Sequence, residues 1–122
     1  MPSLYTVEIR TAQWEAMIHW YRRALGLQVA ARVVEDRFAL LVARDTASND
    51  ICRLALLGRD GVAAPPGRVS FSFEAPDLAA AAERLQAAGA DFSPPSTNRE
   101  GFHELKTKDP DGNQIRVFQW PE

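Results

Sequence analysis

The chain has 122 residues, 46% of them apolar, 25% charged and 9% aromatic, with 14 basic against 16 acidic side chains and a formal net charge of −2. That length suits one domain spanning 1–122, able to bury about two thirds of its unfolded surface without disulfides or a structural metal. The lone Cys52 rules out an internal disulfide framework, and the absence of a basic face or of an apolar run near about 18 residues argues against nucleic-acid and membrane partners. A soluble, cytoplasmic protein is the expectation.

Residues 4–10 alternate in character: Val7 and Ile9 fall on one side, and Thr6, Glu8 and Arg10 on the other, as in a half-buried strand. Trp14, Met17, Ile18, Tyr21 and Ala24 then form one helical stripe that ends near Gly26. Three strand-like runs follow, around 28–34, 37–43 and 51–57, parted by Glu35-Asp36 and by the polar stretch Asp45 to Asp50. A Pro/Gly linker over 61–67 closes this first unit.

Beyond the linker the order begins again. Val69, Phe71 and Phe73 alternate with Ser70, Ser72 and Glu74, and Leu78, Ala81, Ala82, Leu85 and Ala88 make a second helical stripe closed by Gly89. Each of these apolar positions lies 64 residues after its counterpart in the first half, and Asp109, Asn113 and Ile115 fall on Asp45, Asn49 and Ile51 by the same offset. The chain therefore reads as a duplication, with modules over 1–60 and 68–122.

The run Asp109-Pro110-Asp111-Gly112-Asn113 is dense in turn formers and sits between strand-like flanks, Leu105 to Thr107 and Gln114 to Trp120. The segment from Trp20 to Leu27, the strand exit Phe73 to Leu78, the helix end Leu85 to Gly89 and this turn together resemble the glyoxalase, bleomycin-resistance and extradiol-dioxygenase superfamily over the whole chain. The resemblance implies an α+β fold, two βαβββ modules forming a curled mixed sheet around a cavity with the helices outside. It also implies a homodimer with cavities built at the subunit contact. It does not choose among the isomerases, dioxygenases, transferases and non-catalytic binding proteins of that superfamily.

Metal-using members carry His on a module's first strand and Glu or His on its last, donors suited to a divalent metal with open positions. Counting back fourteen residues from Trp20 and seven from Asp77 puts Thr6 and Ser70 at the first-strand positions, and counting three on from Asn113 puts Arg116 at a last-strand position. The fourth falls on Cys52 by the internal offset or on Ala55 by strand alternation. Thr, Ser and Arg do not make such a site, so no metal and no cofactor are expected. His19 lies off the apolar stripe of its helix, and His103 adjoins Glu104 with only one of the two able to face the cavity. A set of Glu8, Glu74 and His103 is the remaining conceivable metal site.

The superfamily arrangement turns Thr6, Glu8, Arg10, Ser70, Ser72, Glu74, Gln114, Arg116 and Phe118 towards the cavity, as candidate ligand-binding residues. Ion pairs of Glu8 or Glu74 with Arg10 or Arg116 would neutralise such a face, while the Arg116 fork suits a carboxylate or phosphate. Cys52 has no matched His, and Ser70 and Ser72 no nucleophile motif. The leading expectation is a metal-independent protein that binds an unknown small organic molecule. The alternatives are a lyase or isomerase using Glu8 or Glu74 as general base or a non-standard metal site, and a structural or regulatory module without a ligand.

Overall fold

The first apolar stripe becomes one face of α1 (Trp14–Leu25), and all five of its residues are buried. Thr11 Oγ1 accepts the Gln13 N–H just ahead of the helix at 2.9 Å. At the other end Gly26 takes a left-handed φ of 76°, which lets its N–H return to the Arg22 carbonyl and stops the helix where the stripe stops. The second stripe gives α2 (Leu78–Ala87), whose start is fixed twice: Asp77 caps Ala80 N–H at 3.2 Å, and the Gln119 side chain accepts Leu78 N–H at 2.8 Å.

The computed structural model describes residues 2–62 and 70–121. The strands are β1 (Val7–Thr11), β2 (Gln28–Val33), β3 (Phe38–Arg44), β4 (Asp50–Gly58), β5 (Ser70–Glu74), β6 (Ser96–Thr97), β7 (His103–Lys108) and β8 (Gln114–Gln119). Each half therefore runs strand, helix, three strands. They build two four-stranded mixed sheets, ordered β1-β4-β3-β2 and β5-β8-β7-β6, with β1 parallel to β4 and β5 parallel to β8. A parallel pair needs a long crossover, which each helix with its following hairpin supplies. From residue 63 onwards the linker expected over 61–67 lies outside the described residues, as does Val69.

The two helices pack on each other, α1 against β4 and α2 against β7 and β8. The core collects Met17, Tyr21, Leu41, Leu56, Leu85, Leu105 and Ile115, all essentially inaccessible. The sheets do not close, and no ladder joins one to the other among the described residues, because β1 and β5 are both edge strands. Each sheet thus has one face on the helices and an opposite face that no helix covers among the described residues, here called the bare face although Val42, Ala55 and Glu104 on it are buried by their neighbours.

The turns at 45–49 and 109–113 share one hydrogen-bond pattern. Asp45 and Asp109 each accept two main-chain N–H groups through Oδ1 at 2.9–3.0 Å, and each also takes the Asn49 or Asn113 side-chain amide on Oδ2. The left-handed residue in each turn is Ser48 or Gly112, at φ 65° and 85°. The offset of 64 fails just after the turns. Val7 pairs with Leu54, whereas Phe71 pairs with Ile115, the offset counterpart of Ile51. Part of the cause is a bulge: Arg44 pairs with Asp50 and Ala43 with Cys52, so Ile51 is an extra residue in β4.

Candidate ligand-binding face

Strand alternation and register decide which side chains share a face. On β5 and β8, Phe71, Ile115 and Val117 turn to the core, so Ser70, Ser72, Glu74, Gln114, Arg116 and Phe118 lie on the bare face, as the sequence indicated. On β1, Glu8 and Arg10 are exposed on the bare face of the first sheet, opposite Ala55 and Leu57. Thr6 precedes β1 and is half-buried, its hydroxyl donating to the Val7 carbonyl at 3.3 Å. The nine candidates are therefore divided between two sheets, with Thr6, Glu8 and Arg10 on one and the other six on its counterpart.

Arg116 is the centre of the second group. Its Nη2 donates to Ser72 Oγ at 3.2 Å, across the β5–β8 pair, and its Nη1 lies 3.4 Å from Glu104 Oε2. Glu104 is 9% exposed and also accepts from Asn98 Nδ2 at 3.4 Å. The acidic partner of Arg116 is thus on β7, and no ion pair involves Glu8, Glu74 or Arg10 among the described residues. The pairing foreseen from sequence chose the wrong strand because β7 carries its charges on the bare face at Glu104, Lys106 and Lys108, while Leu105 and Thr107 go inward. The alternation Glu-Leu-Lys-Thr-Lys over 104–108 was the available signal.

A cleft of about 990 Å³ brings Ser70, Ser72, Gln114 and Arg116 together with Lys106 and Lys108. A smaller hollow of about 250 Å³, lined by Asn98, Glu100, Arg116 and the rings of Phe102, Phe118 and Trp120, lies on the other side of Arg116. These three rings touch edge-on or tilted, with centroids 4.8–6.0 Å apart.

The first sheet has its own cation. Arg53 lies over the Tyr5 ring at 4.3 Å and approaches Asp50 to 3.3 Å, and Asp50 is bonded to Arg44 at 2.9 Å. Neither Tyr5 nor Arg53 stood out in the sequence, although Arg53 follows from carrying the Ala55 alternation back along β4.

The donor set does not suit a catalytic metal. Arg116 brings a permanent cation to one position, Ser70 and Thr6 bring hydroxyls, and Ala55 stands opposite Glu8 where Arg116 stands opposite Ser72. Cys52 turns to the core, and burial pushes its thiol above the ordinary range. The set Glu8, Glu74 and His103 does not assemble. Glu8 and Glu74 belong to different sheets, and His103 pairs with Gln119 and Thr97 on the face opposite Glu104, its Nδ1 3.0 Å from Thr97 Oγ1. His19 is exposed on α1. Among the described residues no three His, Cys, Asp or Glu side chains come together, and no helix is long and apolar enough to cross a membrane.

The topology and the open sheets define a paired βαβββ protein, and residues 3–117 match the family model of the Glyoxalase/Bleomycin resistance protein/Dioxygenase superfamily. The chain belongs to that superfamily. It is similar to a solved glyoxalase/bleomycin resistance protein/dioxygenase from Nocardioides, with 26% identity and a TM-score of 0.74 over 100% of this chain and 85% of that one. TnmS3, an antibiotic binding protein from Streptomyces sp. CB03234, shares 22% identity at a TM-score of 0.77, over 100% of this chain and 98% of that one. A bleomycin resistance determinant encoded on the transposon Tn5 shares 17% at 0.75, over 97% and 98%. No curated protein matches the sequence.

Proposed function

We propose that this chain is a metal-independent small-molecule-binding member of its superfamily, acting as a cytoplasmic homodimer. The observation that carries the reading is Arg116, a guanidinium bonded to Ser72 and paired with Glu104, at the position where the resemblance to metal-using members leads one to expect a ligand. The half-exposed guanidinium keeps donors for a ligand, in a cleft large enough for a drug-sized molecule. An antibiotic binding protein and a bleomycin resistance determinant share this fold, which supports a binding role. Lys106, Lys108 and Arg116 line the cleft together with Asp91 and Asp109, so its charge does not single out a cationic drug as the ligand.

The homodimer reading rests on the open sheet edges at β1 and β5 and on apolar side chains left exposed: Leu4, Tyr5, Ile51 and Trp120 are each more than half accessible. A second copy laid over the bare faces would bury them and roof the cleft. The free Cys52 fits a reducing compartment.

The test is a thermal-shift screen of a chemically mixed small-molecule library with EDTA present throughout. Saturable stabilisation by a library member, lost in Arg116→Gln, is the expected result. Stabilisation that disappears with EDTA and returns with a divalent metal would overturn the metal-free reading, and no stabilising compound in a broad library would overturn binding altogether.

A further inference from the structure

We infer that the second sheet carries a further site, distinct from the cleft, for a small organic ammonium ion with one aromatic ring, held by the carboxylates of Glu74 and Glu100 and by the rings of Phe102, Phe118 and Trp120. The first observation is a change of charge along one face. Lys108, Lys106 and Arg116 stand at the end that lines the cleft. The next row is Glu74, Phe118 and Glu104: both glutamates are direct cross-strand partners of Phe118, so its ring stands between two acidic positions whose Cα atoms are about 10 Å apart, two strand spacings. Glu100 adds a third carboxylate in the lining of the hollow, on a turn that Asn98 Oδ1 closes by accepting the Glu100 and Phe102 main-chain N–H groups at 3.0 Å. Arg116 is the one cation lining the hollow among the described residues, and Glu104 meets its charge at 3.4 Å. Glu74 and Glu100 enter no ion pair among the described residues. This end of the face therefore keeps an excess of negative charge, which draws a cation.

The second observation is the rings themselves. Trp120 is 57% exposed, although it packs on Phe102 and Phe118. The face of an aromatic ring attracts a cation lying within about 6 Å of its centre, and tryptophan does so most strongly. Arg116 reaches the Phe118 ring only at that limit, 6.0 Å, and no Lys or Arg lies over the Trp120 ring among the described residues. An ammonium group beside Glu74 and Glu100 with an aromatic ring against Trp120 uses both the charge and the exposed apolar surface. Size sets the upper limit: about 250 Å³ is below the roughly 300–1,000 Å³ of sites for drug-sized ligands, so the ligand has one ring.

The experiment titrates the full-length protein near pH 7 with 2-phenylethylamine, 2-phenylethanol and phenylacetate, followed by calorimetry and tryptophan fluorescence. The amine is expected to bind at least about tenfold more tightly than the alcohol, and the acid more weakly than either. Glu74→Gln and Glu100→Gln, both at exposed positions, should each weaken the amine about threefold or more with the alcohol unchanged, whereas Glu35→Gln, an exposed carboxylate of the first half, should alter neither. Trp120→Ala should weaken amine and alcohol alike, and the two carboxylate variants keep the test decisive if loss of a packed ring disturbs the fold. An amine that binds no better than the alcohol, or that is indifferent to both carboxylate variants, would overturn the inference. The cleft is tested apart from it. A library compound whose stabilisation is lost in Arg116→Gln, with no binding of the amine, defeats this inference and leaves the proposed function standing; carboxylate-dependent binding of the amine without any such compound does the reverse.

Discussion

Tyr21 and Asp109 show how much a single contact does in this chain. The Tyr21 hydroxyl donates to Asp109 Oδ2 at 2.6 Å in a site where the ring is fully buried and Asp109 is 5% exposed. The bond ties the helix of the first half to the turn of the second. Burial, then the Asp109 charge, hold the phenol well above its ordinary value near 10. Tyr21→Phe should cost about 2 kcal/mol, the worth of a buried hydrogen bond to a charged group. Because the folded phenol stays neutral where the unfolded one ionises, this contribution is complete below pH 10 and falls as pH rises through and beyond it. Urea unfolding from pH 7 to 11 should show the deficit of the phenylalanine variant shrinking on the alkaline side; a deficit constant with pH would contradict the assignment.

Among elements, the twin turns differ in what they hold rather than in how they are built. The turn at 109–113 is pinned by Tyr21 of α1 and by the side-chain amide of Gln13 just ahead of that helix, which donates to Asp111 Oδ1 at 2.7 Å, while Asp45 stands in solvent. Asp109→Ala should therefore cost at least about 2 kcal/mol, and Asp45→Ala clearly less, by thermal unfolding of the two variants side by side. Equal losses would mean that the local turn bonds alone carry the stability. The main-chain N–H of Asn49, chiefly, holds the Asp45 carboxyl below the usual range, so its contribution is lost only as pH falls through that lowered value. Both helical stripes and the turn at 109–113 were legible in the sequence, because apolar period and turn chemistry are local, and the offset of 64 matched Asp45 and Asn49 to that turn. The two-residue β6 was not, since two residues carry no periodicity, and the choice between Cys52 and Ala55 depended on a bulge at Ile51 set by pairing with β3.

At the scale of the whole molecule, the six candidates on β5 and β8 were placed from alternation alone, whereas Glu104 and the ring cluster needed the β7–β8 register to bring them beside Arg116. The bare faces and free edges lead to the dimer expectation. Sedimentation should give twice the chain mass, with Ile51→Glu shifting it towards the monomer at unchanged far-UV circular dichroism; a wild-type monomer at high micromolar concentration would contradict it. The proposed binding of a small molecule at Arg116 needs no metal. Native mass spectrometry of protein prepared without chelator and then dialysed should find it free of stoichiometric divalent metal, and one equivalent of nickel, zinc, iron or manganese per chain surviving dialysis would overturn the metal-free proposal.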